Sequence, residues 1–161
     1  WDQRWYMGLF QISNEPGFLT PTLYNYVGRP DKTAEVVRKT LKERYNTTKE
    51  GIPGNDDSGS MSSWYVFHAL GFYPNTGQDL YLISSPTFEE AVIHLENGRD
   101  LSIKAKKASD KNIYVQSVKL NGEPLDACSF KHTDIANGGT LEFVMGSKPS
   151  KWGTVGVENQ L

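Results

Sequence analysis

The pattern of hydrophobic positions changes its period near residue 76 and divides the chain into a helical part and a strand part. Upstream, residues 31–45 give the clearest helical signal, with one apolar stripe at spacings of three and four. The stripe consists of Ala34, Val37, Leu41 and Tyr45. The charged positions off this stripe, Arg38 among them, predict a solvated face.

Two further helices are predicted in the upstream part. Residues 18–26 are predicted to form a buried helix that ends at Gly28. Residues 60–70 are apolar almost all round, so we expect this helix to be buried between others and to end at Gly71. His68 lies within it and is expected to be a hydrogen-bonded core residue.

Downstream of residue 76, short apolar runs and alternating stretches predict β-strands. They cover 80–83, 91–95, 101–105, 113–120 and 141–145. Asn-Gly and related turn sequences at 96–98, 121–122 and 136–139 predict tight hairpins. The predicted fold class is therefore α+β. It has helices over 1–76, an antiparallel β-sheet or sandwich over 77–148, and an irregular, partly loose tail over 149–161.

Composition narrows the class of partner. A formal net charge of -2 and a pI of about 5.9 argue against binding to nucleic acid or to an anionic membrane surface. No apolar run approaches the roughly 20 residues of a membrane helix. Cys128 is the single cysteine and is expected to be a core residue. The chain begins at Trp1, without an initiator Met or a signal peptide, which favours a piece of something longer.

The densest candidate chemistry lies in residues 51–65, where Asp56 and Asp57 stand between Gly54 and Gly59 just before the apolar helix. A carboxylate near a helix N-terminus is expected to stay ionised, as a general base must. The alternative is structural, because Asp and Ser before a helix most often serve only as an N-cap.

A second acidic position, Glu15, precedes Asp57 by 42 residues (57 minus 15), with one surface helix between them. In an array of antiparallel helices, loops separated by a helix pair return to the same end, so both sites are predicted to share one mouth. Carboxylates together with aromatic rings are typical of a sugar site, although such rings are often simply core. The rings in question are Trp5, Tyr6, Trp64 and Tyr65.

Other chemistries find less support. The sequence contains no serine nucleophile elbow, no phosphate-binding glycine loop and no zinc pattern among its three histidines. A calcium loop starting near Gly54 fails because Tyr65 occupies its twelfth position. Asn46-Thr47-Thr48 is an N-glycosylation sequon, meaningful only in a eukaryotic secretory pathway.

Several motifs in order resemble glycoside hydrolase family 92, whose members are calcium-dependent, inverting exo-α-mannosidases. The main motif is Gly-Asn-Asp-Asp-Ser-Gly-Ser-Met-Ser-Ser-Trp-Tyr-Val-Phe at 54–67, followed by Leu-Gly-Phe-Tyr-Pro at 70–74. Asn-Glu-Pro at 14–16 and the stretches 132–135 and 138–141 fit the same family. The resemblance covers nearly the whole chain.

The resemblance implies that this chain is the C-terminal part of such an enzyme. It would comprise some helices of an incomplete (α/α)6 barrel and the closing β region. Asp57 matches the family's catalytic base and Asp56 is a second candidate or an orienting group. Glu15 matches an acidic position lining the sugar site, with Asn14 and Asn55 as neighbouring substrate contacts. The general acid and several calcium contacts are expected upstream of Trp1.

The predicted function is therefore hydrolysis of terminal α-linked mannose from glycans such as N-glycans by a secreted or periplasmic enzyme, expected to be bacterial. An α-1,2 linkage is expected, although Phe18-Leu19 and Ser58 depart from the pattern of many relatives. The expected partners are a mannose-containing glycan and the missing N-terminal part, with self-association through exposed helices. The rival predictions are a carbohydrate-binding or structural β module and another helical-barrel glycosidase or phosphorylase.

Overall fold

The computed structural model describes residue 10 and residues 12–155. Within these ranges the chain forms two α-helices, α1 (Pro30–Arg44) and α2 (Ser60–Leu70). Three 3-10 helices cover Glu15–Gly17, Thr20–Val27 and His132–Asp134. The predicted helices over 31–45 and 60–70 are confirmed to within one residue at each end. The predictions that concern Trp1, Trp5 and Tyr6 fall outside the described residues.

Eight strands follow α2 in the described part of the chain. They are β1 (Phe72–Pro74), β2 (Tyr81–Ile83), β3 (Glu90–His94), β4 (Asp100–Lys106), β5 (Tyr114–Leu120), β6 (Glu123–Pro124), β7 (Ser129–Phe130) and β8 (Gly139–Gly146). They form a small sheet in the order β1-β2-β7 and a larger one in the order β3-β4-β8-β5-β6. All five predicted strands are present, because each carries an alternating or apolar pattern that buries one face. The short β1, β6 and β7 were not predicted.

The prediction of a purely antiparallel β region is wrong, because β4 and β8 pair in parallel, from Leu101 with Gly139 to Lys106 with Val144. On its other side β8 pairs with β5 in the antiparallel sense. The last strand of the chain therefore enters between β4 and β5, which run in opposite directions. A strand in that position must be parallel to one neighbour. Alternation of side chains is the same in both pairings, so the pattern could not reveal it.

A large apolar core joins the two sheets and extends into the C-terminal segment. It includes Phe72, Leu101, Phe143 and Trp152, each at most 8% exposed. The Trp152 indole N–H donates to the Leu125 carbonyl at 2.7 Å. Residues 149–155, predicted to belong to a partly loose tail, therefore contribute a packed aromatic residue. Cys128 is fully buried in the same core, as expected.

Helix α1 connects the helical part to the strands through a buried cation. Ala34 and Val37 are buried as the stripe predicts, but Arg38 is buried as well, which corrects its assignment to the solvated face. Its guanidinium donates to the carbonyls of Pro86 at 2.6 Å and Ser109 at 2.9 Å. The loops between strands offer unpaired carbonyls at this point, and an arginine fork reaches two of them.

The segment predicted as a buried helix over 18–26 is a 3-10 helix whose buried face is polar. Asn25 is fully buried and donates to the carbonyls of Ile83 and Cys128, while Leu23 and Val27 are exposed. The prediction of burial holds only in part, because Leu19 and Tyr26 pack against the core whereas Leu23 is exposed and the buried Asn25 ties the segment to β2. Gly28 ends the helix in the left-handed conformation, as predicted.

Helix α2 is less enclosed than predicted, since Val66 is 51% exposed and Ser63 is also on the surface. Ile52 is a further exposed apolar residue, at 41%. His68 is fully buried between the rings of Trp64 and Tyr73, but neither ring nitrogen has a hydrogen-bond partner among the described residues. The prediction that His68 is hydrogen-bonded is therefore wrong. Burial lowers the pKa of His68 to about 3 and keeps the ring neutral.

Of the three predicted hairpins, two are present. The turn at 96–98 joins β3 to β4, and Asn121-Gly122, both with positive φ, joins β5 to β6. The turn at 136–139 instead leads from a 3-10 helix into β8, whose partners are β4 and β5. None of the described helices is long and apolar enough to span a membrane. Two α-helices do not establish an (α/α)6 barrel, which stays a prediction.

Candidate active site

The loop before α2 holds its aspartates in an uncommon backbone conformation. Asp57 and Ser58 have φ of 46° and 59°, and Gly59 follows with φ of 93°. Left-handed backbone costs a residue with a Cβ roughly 1–2 kcal/mol, so two such residues in succession store strain. Strain of this kind clusters at functional sites. Asp57 lies in this turn and is exposed.

Asp56 caps the N-terminus of α2, which is the structural alternative that the sequence offered. Its Oδ1 accepts hydrogen bonds from the Ser62 backbone N–H at 3.0 Å and the Ser62 hydroxyl at 2.9 Å. These satisfy one of the orphan donors in the first turn of α2. Asp56 is therefore the carboxylate that the N-terminus of α2 stabilises. Asp57 does not share this environment, which corrects the expectation for that residue.

Two contacts hold Glu15 beside the loop that carries Asp57. Asn14 caps the short helix Glu15–Gly17, accepting from the Glu15 N–H at 3.0 Å. One residue earlier, Ser13 lies directly against Gly54, where an added Cβ would stand 2.3 Å from the Ser13 carbonyl oxygen. Only glycine permits that approach at a φ of 74°. The loop that carries Asp57 thus rests on the segment that carries Glu15.

Trp64 strengthens this arrangement from the core. Its indole N–H donates to the Phe18 carbonyl at 3.0 Å, which ties the segment after Glu15 to α2. The ring is fully buried and stacks on Tyr45. Trp64 therefore positions the site and offers no sugar-stacking face, contrary to one prediction. Tyr65 is half-buried and packs on Tyr45 as well.

The carboxyl groups of Glu15 and Asp57 are neighbours, close enough for Glu15 to act on the pKa of Asp57. Partial loss of water, then the charge and hydrogen bond of Glu15, and finally the charge of Asp56 raise the pKa of Asp57 above its ordinary value. Two neighbouring carboxylates repel each other, so the pair is most stable when it holds one proton or lies beside a cation. Glu15 and Asp57 are therefore neighbours, and Asp57 is the one whose pKa is perturbed.

A cleft of about 560 Å³ opens beside Glu15. Its walls combine rings with hydroxyl groups, a mixture suited to a sugar. The lining residues are Glu15, Pro16, Phe18, Leu19, Ser58, Gly59, Ser60, Ser63, Phe67, Tyr73, Pro74 and Thr76. The volume falls within the roughly 300–1,000 Å³ of small-molecule pockets.

Sequence reasoning missed several residues of this cleft. Ser60, Ser63 and Phe67 lie at helical spacings of three and four on α2, so the spacing itself was a signal for a shared face. Tyr73 and Thr76 come from β1 and the turn after it, which no pattern connected to Glu15. Asn14 and Asn55 are exposed near the pair, and neither lines the cleft.

A family model decides the relationship of this chain to known proteins. The model of the glycosyl hydrolase family 92 catalytic domain matches residues 1–147. The chain belongs to glycosyl hydrolase family 92. The match includes both halves of the carboxylate pair and the cleft beside it.

Individual relatives agree with the family 92 assignment. The chain is 40% identical over 149 residues, 91% of its length, to an uncharacterized secreted glycosidase of the fungus Arthroderma benhamiae. It is similar to a family GH92 α-mannosidase of Bacteroides thetaiotaomicron solved with mannoimidazole, with a TM-score of 0.83, 36% identity and 86% of this chain covered. It also resembles a family GH92 inverting mannosidase from that bacterium, with a TM-score of 0.84, 34% identity and 92% covered.

The chain spans 18–20% of the length of these family 92 relatives. Its structure therefore corresponds to one portion of each, containing helices and sheets. Within the described residues no group of three or more His, Cys, Asp or Glu side chains is placed to hold a metal ion. A calcium shell takes six to eight oxygen ligands, so carboxylates of the described residues would supply at most part of one.

Proposed function

We propose that this chain is the C-terminal part of the catalytic unit of a secreted, inverting exo-α-mannosidase, with Asp57 as its general base. The observation that carries the proposal is the closeness of Glu15 to Asp57, whose pKa it raises, with Glu15 lining a cleft of hydroxyls and rings. A base is most effective when its pKa approaches the working pH, and the raised pKa of Asp57 moves in that direction.

In the proposed reaction Asp57 takes a proton from a water molecule. The water oxygen bonds to the anomeric carbon of the terminal mannose as the glycosidic C–O bond breaks. A general acid then supplies the proton that the leaving oxygen needs. Attack on the face opposite the leaving group inverts the anomeric configuration. Glu15 takes the role of a sugar-hydroxyl contact, with Asn14 and Asn55 proposed beside it.

The closeness of the two carboxyls favours a different residue as the acid. In inverting enzymes the acid and the base stand about 6.5–9.5 Å apart, with a water molecule between them. Glu15 lies close enough to Asp57 to raise its pKa. We therefore assign Glu15 to substrate contact and not to the acid. We propose that the acid belongs to a part of the enzyme upstream of this chain.

Calcium belongs to the same proposal. The Glu15 carboxylate would hold it in part, with the remaining oxygens coming from substrate hydroxyls, water or residues outside the described ranges. The ion would orient sugar hydroxyls and offset the charge of Glu15, leaving Asp57 free to act as the base. Removing calcium with a chelator is expected to abolish turnover by the whole enzyme.

Location and substrate are proposed from the relatives. We propose secretion, or export to a periplasm, because the fungal relative is described as secreted. The substrate proposed is terminal α-1,2-linked mannose on glycans. The remainder of the enzyme is the proposed protein partner, and exposed apolar residues such as Val66 and Ile52 are its proposed contacts. The relatives reported are both bacterial and fungal, so they do not favour the expected bacterial source.

The rival β-module proposal is less well supported. Such a module needs exposed rings on a sheet. One cross-strand row of the larger sheet instead carries Glu90, Lys104, Glu142 and Lys119, a run of alternating charge. The exposed positions of β3 and β4 are charged, histidine or valine. Phosphorolysis remains the other alternative and is distinguished by its phosphate requirement.

The deciding experiment follows the anomer released from an aryl α-mannoside by NMR, comparing the longer enzyme with the 161-residue chain. We expect β-mannose as the first product, no dependence on phosphate, and no turnover by the isolated chain because it lacks the acid. Release of α-mannose, a phosphate requirement, or full activity in the isolated chain would contradict the proposal.

A further inference from the structure

A sequon lies in the surface loop that follows α1. Asn46-Thr47-Thr48 is the one Asn-x-Ser/Thr triplet in the sequence, and its middle residue is not proline. Residues 46–50 are all exposed. A glycan attached here would not displace any part of the packed core. Neither the carboxylate pair nor the cleft involves this loop.

The side chain of the acceptor residue is already arranged for reaction. Asn46 Oδ1 accepts two hydrogen bonds from Thr48, one from the backbone N–H at 2.9 Å and one from the hydroxyl at 2.6 Å. Bonds donated to this oxygen stabilise negative charge on it, which makes the amide N–H easier to deprotonate. The amide nitrogen Nδ2 makes no hydrogen bond with the described residues, so it stays open to a glycosyl donor.

This geometry is local in sequence. The Asn46 N–H donates to the Gly51 carbonyl, and the Gly51 N–H donates to the Thr48 carbonyl, both at 3.0 Å. A Cβ on Gly51 would stand 1.9 Å from the Asn46 carbonyl oxygen, so glycine is required for the closed loop. Because every partner lies within six residues, the loop can form before the rest of the domain has folded. Afterwards it remains on the surface.

We propose that Asn46 is the acceptor of a single N-linked glycan when the chain passes through a eukaryotic secretory pathway. The inference rests on the proposed secretion and not on the proposed activity. The donor is an oligosaccharide on a polyisoprenyl diphosphate, used by the host transferase. Asn46 Nδ2 bonds to C1 of the first sugar, the C1–O bond to the diphosphate breaks, Nδ2 loses a proton, and polyisoprenyl diphosphate leaves.

The test is secretion of the chain from yeast behind a signal peptide, with both medium and cell lumen analysed. We expect a gel shift of one glycan that peptide N-glycosidase removes, with Asn46 converted to Asp in the released peptide. Thr48→Val is expected to lose the shift completely. Thr47→Val is the matched control, since it alters the same loop and keeps the sequon, and it should retain the shift.

A lumenal or secreted chain with unmodified Asn46 would overturn the inference, as would a shift that survives Thr48→Val. Thr48→Ser preserves the hydroxyl that donates to Oδ1, so it should keep the glycan. Mannosidase activity does not enter this readout. A glycosylated but inactive longer enzyme would count against the proposed function alone.

Discussion

The carboxyl of Asp57 lies beside the carboxyl of Glu15, 42 residues earlier in the chain (57 minus 15), close enough for the charge of Glu15 to raise the pKa of Asp57. Two backbone contacts enforce this meeting, Gly54 against Ser13 and the Trp64 indole on the Phe18 carbonyl. Because Asp56 is engaged at the N-terminus of α2, the two adjacent aspartates have different environments. The effects of replacing Asp56, Asp57 and Glu15 can therefore be measured separately.

Replacement of Asp57 should abolish activity without unfolding the protein. In the longer enzyme, Asp57→Asn is expected to lower kcat by about a hundredfold or more, the scale of general-base contributions. Asn is nearly isosteric and tolerates left-handed backbone, so the fold should remain. Initial rates on an aryl α-mannoside, with thermal unfolding as the control, measure both effects. Wild-type rates in this variant would show that Asp57 is not the base.

Asp56 is expected to affect stability more than rate. Asp56→Ala removes the acceptor for Ser62 and should cost about 1 kcal/mol of unfolding free energy. Asp56→Asn is the matched control, since Asn caps helices about as well as Asp. Denaturant titration of both variants compares them. An equal loss of stability in Asp56→Asn would show that the charge, rather than the hydrogen bonds, is what matters.

Glu15→Gln should shift the pH dependence of Asp57. Removing the Glu15 charge lowers the pKa of Asp57, so the acid limb of kcat/KM should move to lower pH. The folded-state pKa of Asp57 is raised, so its ionisation costs stability as pH rises through that pKa. The cost is absent below the unfolded value of about 3.9. Glu15→Gln should therefore be stabilising at neutral pH and neutral at pH 3.

The control for that experiment is Glu50→Gln, which removes an exposed carboxylate from the 46–51 loop. It should leave both the acid limb and the stability profile unchanged. A shift of the acid limb to higher pH in Glu15→Gln would contradict the assigned cause. So would an identical shift in the control.

Arg38 should be one of the most sensitive positions for stability. Arg38→Met leaves the carbonyls of Pro86 and Ser109 without their donor and should cost about 3 kcal/mol. Lys42→Met removes an exposed ion pair with Asp110 from the same helix and should cost less than about 1 kcal/mol. Equal midpoints of denaturant unfolding for the two variants would refute the buried role of Arg38.

The β region should fold on its own, and its flanking residues should make it more stable. We expect residues 77–148 to fold alone, but less stably than residues 71–155, which add β1 with Phe72 and the buried Trp152. Loss of a large buried aromatic typically costs about 3–5 kcal/mol. Amide exchange of both fragments measures the difference. Equal protection would show that β1 and Trp152 are dispensable, and no protection in either would show that the helices are required.

Elements whose signal is local could be predicted from the sequence. The stripe of α1 and the strand alternation at Leu101 and Ile103 each depend on one buried face, which a periodic pattern records directly. Gly28 and Gly71 end helices because the left-handed conformation favours glycine. The motif at 54–67 likewise indicated the family, because its residues are consecutive in the sequence.

The features that the sequence could not predict depend on contacts between residues that are distant in sequence. The parallel pairing of β4 with β8 follows from where the last strand enters the sheet, and alternation does not encode direction. Arg38 is buried because carbonyls 48 and 71 residues away need a donor. Asp56 and Asp57 are identical in type and adjacent in sequence. One caps a helix and the other meets Glu15, because the left-handed turn at Asp57 points neighbouring side chains to different partners.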